Sequence, residues 1–134
     1  MDDEPPLTAV PAAARLTATP AGVRLIPLDA VADGAARNIV IELRAGRFHG
    51  FVVRRGDAVV GFVDRCPHMG LPLAQTLDDY LSADGSLIAC DWHGALFEIA
   101  SGKCVGGPCM GASLTPWPVT VTVTVTEGYI TTTV

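Results

Sequence analysis

Apolar residues recur along this chain with a period of two and in short runs, without the three-to-four-residue spacing of an amphipathic helix. In residues 38–43, Ile39, Ile41 and Leu43 face one way while Val40 and Glu42 face the other, which predicts a strand; residues 23–28 predict another before it. Phe51-Val52-Val53 and the run 58–63 flank Arg55-Gly56-Asp57, the pattern of a hairpin. The short runs 86–89 and 95–99 lie between the turn signals Asp84-Gly85 and Ser101-Gly102. Near the C-terminus Val119, Val121, Val123 and Val125 alternate with Thr120, Thr122, Thr124 and Thr126. Glu127-Gly128 then turns the chain into residues 129–134, so this end reads as a half-buried antiparallel hairpin. The one helical candidate is the stretch 73–81. Many short strands with close turn signals predict an all-β fold, an antiparallel sandwich or barrel.

Length bounds this picture to one domain, since 134 residues can bury a single core but not two ordinary ones. Residues 1–22 hold four Pro, many Ala and an acidic cap without periodicity, which predicts a mobile tail before a domain at 23–134. With 9 basic and 14 acidic residues the net charge is −5, which argues against a nucleic-acid or anionic-lipid partner. Residues 104–126 carry no charge, about a membrane span in length, but three Pro, three Gly and regular Thr argue against a lipid-facing helix. Asp2, Asp3 and Glu4 stand where a secretory signal needs positive charge, so the expected location is the cytoplasm. In that reducing compartment four Cys point to metal or redox chemistry more than to disulfides.

The clustering of Cys with His narrows this further. Cys66-Pro67-His68 and Cys90-Asp91-Trp92-His93 each place a thiol and an imidazole within one tight turn just after an apolar run. Two such loops facing each other can close a four-ligand metal site without any helix. The ligand set admits two occupants: a tetrahedral structural zinc, which would make the chain an interaction module, or a two-iron, two-sulfide cluster with two Cys on one iron and two His on the other. Neutral imidazoles in place of thiolates remove negative charge, so the second choice predicts an electron carrier of higher potential than an all-Cys site.

The segments Cys66-Pro67-His68-Met69-Gly70-Leu71-Pro72-Leu73 and Cys90-Asp91-Trp92-His93-Gly94-Ala95-Leu96-Phe97 resemble the two boxes of Rieske [2Fe–2S] proteins, and Gly106-Gly107-Pro108 resembles the proline loop that covers the cluster in that family. The resemblance spans residues 23–134. It implies a Rieske-type fold of antiparallel sheets with a small cluster-binding subdomain at about residues 64–112. It also implies one [2Fe–2S] cluster, with Cys66 and Cys90 on one iron and His68 and His93 on the other. Met69, Gly70, Leu71, Trp92, Gly94 and Pro108 are the expected neighbours of that group, Trp92 as a shield or loop filler, Met69 and Leu71 as an apolar rim or as packing under the loop. Leu71 and Trp92 stand where respiratory members carry a second disulfide-forming Cys pair, and Ala95 and Phe97 where they carry Ser and Tyr. The resemblance is therefore to the ferredoxin type, a soluble electron carrier or small subunit that takes an electron from a reductase and passes it to an oxygenase or other oxidoreductase. It is not expected to be catalytic alone.

The 21 residues between His68 and Cys90, with Asp78-Asp79-Tyr80 and Asp84-Gly85, predict a surface excursion before the second box. Cys104 and Cys109 read as two small thiols in a Gly-rich turn, with a local disulfide as the alternative. His49 has no Cys neighbour and reads as a strand or surface imidazole, not a ligand.

Overall fold

The computed structural model describes residues 15–67, 72–74, 78–90, 94–123 and 128–133. Within them the architecture is nearly all β. Ten strands, β1 (Arg15–Leu16), β2 (Arg24–Pro27), β3 (Ala36–Leu43), β4 (Gly46–Arg55), β5 (Ala58–Val63), β6 (Leu87–Ala89), β7 (Leu96–Glu98), β8 (Cys104–Gly106), β9 (Val119–Val123) and β10 (Gly128–Thr132), form three sheets. A single 3-10 turn at Leu28–Ala30 is the only helical element among the described residues. No described helix is long and apolar enough to cross a membrane.

The first sheet is built on β4, which pairs antiparallel with β3 and with β5 and parallel with β1. Its residues 50–53 are all buried, because this strand has a core on both faces. Phe51 and Val53 point into one core with Phe62, Tyr80, Ile88, Phe97 and Leu114. Phe48 and Val52 point into the other with Leu28, Val31, Ile39, Trp117 and Ile130. That second core joins the first sheet to the second, β2-β10-β9. The third sheet, β6-β7-β8, closes the other core.

Trp117 locks the sheets together by close approach. A Cβ on Gly50 would stand 2.7 Å from its ring, and one on Gly61 would stand 2.7 Å from its carbonyl oxygen. Glycine at both positions lets the segment before β9 lie flat on β4 and β5, where the Trp117 amide donates to the Gly61 oxygen and the Val63 amide to Thr115.

Most strand expectations hold with small shifts in their ends. The β4–β5 hairpin turns at Gly56-Asp57, with Gly56 at φ 64°. The C-terminal hairpin pairs Val119 through Val123 with Thr132 through Gly128, Val119 and Val121 half-buried and Thr120 and Thr122 exposed. Val125 and Glu127 lie outside the described residues.

Two expectations are corrected. The described residues of the stretch 73–81, which leave out 75–77, contain no helix: Asp78 has φ 67°, which a helix does not allow, and Leu81 bridges to Ile88 as extended chain. Residues 15–22, assigned to a mobile tail, are tied to the rest of the fold at three points, although only Leu16 and Thr19 are half-buried. Arg15 and Leu16 pair with Arg47 and Phe48, the Trp117 indole donates to Thr19, and Gly22 donates to the Thr132 oxygen. The reason is edge and indole groups that need partners, a demand invisible in the tail's own polar, Pro-rich pattern. Residues 1–14 lie outside the described residues.

Candidate metal centre

The first Cys/His turn leaves the end of β5. Its entry is anchored by the Asp64 amide, which donates to the His49 oxygen, and its exit by Asp64 Oδ1, which accepts from the Leu73 amide at 2.9 Å. One carboxylate thus ties Asp64 to Leu73, nine positions further on, across the segment that carries Cys66. The other oxygen, Oδ2, accepts from the Tyr80 hydroxyl at 2.8 Å, and Asn38 Nδ2 donates to the same hydroxyl at 2.7 Å. Asp64 is 5% exposed and Tyr80 2%, so this is a buried bracket in which both carboxylate oxygens and the phenol hydroxyl have partners. Burial, then the charge of Asp64, pushes the Tyr80 phenol far above its ordinary range, which keeps it a proton donor to the carboxylate.

The second Cys/His turn is the connection from β6 to β7. The Cys90 amide donates to the Ala95 oxygen at 2.9 Å and the Gly94 amide returns a bond to the Cys90 oxygen at 3.1 Å, with Gly94 at φ 69°. The Ala89 amide donates to the Tyr80 oxygen, so the residue that brackets the first turn also pins the strand leading into the second.

Above this turn lies the loop after β8. Gly107 sits at φ 84°, and a Cβ there would approach the Ala95 α-carbon to 2.7 Å, so its backbone rests directly on the second Cys/His turn. Pro108 is exposed on the outer side of that loop. Ala95 and Phe97 are buried and present no hydroxyl.

Cys66 and Cys90 are 1% and 2% exposed, belong to one core, and are in no disulfide. Two buried thiols, each followed in sequence by a His, are of the residue type that supplies the soft donors of a mixed Cys/His metal site. His68, Met69, Gly70, Leu71, Trp92 and His93 lie outside the described residues, and among the described residues no three His, Cys, Asp or Glu side chains form a metal-binding group. The remaining thiols are also in this core. Cys109 Sγ donates to Cys104 Sγ at 3.1 Å and Cys104 Sγ to the Gly106 oxygen at 3.1 Å, and neither is in a disulfide. Burial first, then Cys104, pushes the Cys109 thiol up to about 12.

His49 is half-buried on β4 and makes no metal-binding group with other described residues. Burial, with Arg15 and Arg47 nearby, lowers its pKa, against the smaller opposite pull of Asp64 and Glu42.

The excursion expected at 78–85 is partly a structural tie. Asp78 Oδ1 accepts from the Asn38 amide at 2.7 Å, and Tyr80 stacks on Phe51 with ring centroids 4.2 Å apart. Asp84 accepts from both Ser82 and Ser86 and holds its turn closed, with its carboxyl lowered to about 2 mainly by the Ser86 amide bond. The bracket of Asp64, Tyr80 and Asn38 escapes sequence reasoning. Its one signal is an acidic residue directly following the apolar run Val59–Val63.

The two Cys-bearing segments and the loop over the second belong to a nearly all-β architecture. Residues 26–126 match the model of the Rieske [2Fe–2S] domain, and the chain belongs to that family. Its cofactor is one [2Fe–2S] cluster and its chemistry is electron transfer. A search of the curated proteins finds no match. Among solved structures, the chain is similar to the ferredoxin of carbazole 1,9a-dioxygenase from Nocardioides aromaticivorans IC177. That match has 21% identity and a TM-score of 0.61 and covers 86% of this chain and 100% of that one. It is similar to a chain in a complex of reduced oxygenase and oxidised ferredoxin of carbazole 1,9a-dioxygenase, at 25% identity and TM-score 0.58, over 81% of this chain and 91% of that one. It also resembles the terminal oxygenase of carbazole 1,9a-dioxygenase from N. aromaticivorans IC177, at 18% identity and TM-score 0.65, over 92% of this chain and 32% of that one.

Proposed function

We propose that this chain is a cytoplasmic one-electron carrier of an oxygenase system, in which Cys66 and Cys90 hold one iron and His68 and His93 the other. The observation that carries the reading is the burial of Cys66 and Cys90 in one core, outside any disulfide, each at the head of a turn running on to a His. When bound, the cluster takes up and releases a single electron. The chain's own residues supply rigidity and dryness around it. The Asp64 bracket holds the first turn, the paired Cys90–Ala95 and Gly94–Cys90 bonds hold the second, and the Gly107 backbone covers it. A fixed first coordination sphere keeps the structural change between oxidation states small, which is what rapid electron passage requires.

An oxygenase as acceptor is supported by the similarity to a ferredoxin–oxygenase complex, and a flavin or iron–sulfur reductase is the matching class of donor. The test is anaerobic purification of the full chain, followed by visible absorption, metal analysis and low-temperature EPR on the dithionite-reduced protein. A reduced two-iron signal with imidazole-nitrogen couplings, lost in His68→Ala and His93→Ala, is expected. A colourless protein with one zinc per chain would overturn the reading in favour of a structural interaction module.

A further inference from the structure

Cys104 and Cys109 are not needed as ligands, yet their sulfurs meet. Cys109 Sγ stands 3.1 Å from Cys104 Sγ, both side chains point inward, and their exposures are 6% and 2%. Their backbone does the opposite: Val105, Gly107, Pro108, Met110 and Gly111 are all exposed, and Gly107 and Gly111 take φ 84° and 93°. The loop's neck is closed by the Cys104 amide donating to the Ala112 oxygen and the Ala112 amide to Cys109. The two sulfurs are thus held at one neck by backbone bonds, while most of the glycine-containing turn between them is at the surface.

We propose that Cys104 and Cys109 form a dithiol/disulfide couple built into the loop that covers the second Cys/His turn. A disulfide brings its sulfurs to roughly 2 Å, about an ångström closer than they already stand. The reaction uses a low-molecular-weight disulfide as oxidant. Its sulfur is attacked by Cys109, the sulfur nearer solvent, giving a mixed disulfide and releasing one small thiol. Cys104 then attacks Cys109 Sγ, the Cys104–Cys109 bond forms, and the second small thiol leaves. Both electrons and both thiol protons end on the two released thiols. Burial of both sulfurs makes the exchange slow, so the couple follows sustained changes in thiol–disulfide balance. Because the bond closes the turn whose Gly107 rests on Ala95, its state is mechanically joined to the second Cys/His turn.

Trypsin separates the two kinds of cysteine. Cleavage after Arg65 and Lys103 places Cys66 and Cys90 on residues 66–103 and Cys104 and Cys109 alone on residues 104–134. The cluster-loaded full chain is equilibrated anaerobically in glutathione buffers stepped from reduced to oxidised, starting from both the reduced and the diamide-treated protein. It is then quenched in acid, denatured, alkylated and mapped by mass spectrometry. The expected result is a 104–134 peptide carrying two alkyl groups at the reducing end and none at the oxidising end, lighter there by two hydrogens, with the same curve from both directions. Two alkyl groups throughout, glutathione retained on one cysteine, or a bond between two chains would each overturn the proposal. The visible spectrum, recorded in parallel, reports separately on the cluster, so loss or absence of colour bears on the carrier reading and not on this couple.

Discussion

Replacing Tyr80 by Phe tests whether one buried carboxylate holds the first Cys/His turn shut. The substitution removes only the hydroxyl, leaving the ring stacked on Phe51 at 4.2 Å. Asp64 Oδ2 then loses its 2.8 Å donor and keeps only the long 3.5 Å approach of Asn38 Nδ2, while that amide loses its 2.7 Å acceptor. A hydrogen bond to a charged group contributes about 1.5–3 kcal/mol, and Tyr80 is only 2% exposed. The freed carboxylate can rotate, which weakens its grip on the Leu73 amide. Local opening of the span from Asp64 to Leu73 should therefore become easier by a similar amount, roughly 10- to 150-fold in the opening equilibrium. Amide hydrogen exchange on the cluster-loaded protein measures this directly. In Tyr80→Phe the Leu73 amide should exchange faster by that factor, while amides of Ile39 and Val52 in the β3–β4 ladder change far less. Equal acceleration at all these sites would mean that the hydroxyl supports the fold globally; no acceleration at Leu73 would mean that Asp64 does not brace the loop.

Stability should fall as pH drops below about 6.5, because His49 has a lowered folded pKa: the unfolded chain binds the proton first, so protonation favours unfolding in the window between the folded and unfolded values. Chemical-denaturation midpoints measured from pH 8 to pH 5 check this, and His49→Gln should flatten the slope. Gly107→Ala should destabilise the protein by roughly 1–3 kcal/mol, since φ 84° strains an alanine and its Cβ meets the Ala95 α-carbon, and a thermal melt with unchanged midpoint would contradict it. With Ala95 and Phe97 offering no hydroxyl, the cluster potential should lie near the low end for Rieske centres, roughly −150 mV, measured by film voltammetry. Phe97→Tyr should raise it, because an added donor stabilises the more negative reduced state; a fall would show that the hydroxyl does not reach the site.

Alternation and turn residues already determine much of this molecule. Val119 to Val123, Ile39 to Leu43 and the Gly56-Asp57 hairpin are legible because a period of two can satisfy only a half-buried strand, and the two Cys/His turns are legible because metal ligands are rare residue types at short spacing. What the local pattern could not carry is any contact whose partners are far apart in sequence and individually unremarkable. Tyr80 looks like part of a polar surface loop until Phe51 stacks on it and Asp64, sixteen residues earlier, accepts its hydrogen bond. Arg15 to Gly22 looks like a tail until β4, Trp117 and Thr132 supply partners. Cys104 and Cys109 are two thiols in a glycine-rich stretch until the fold turns both inward to 3.1 Å. Chemistry is written in which residues are present, whereas bracing depends on buried polar groups finding partners, and only the assembled core decides which groups are buried together.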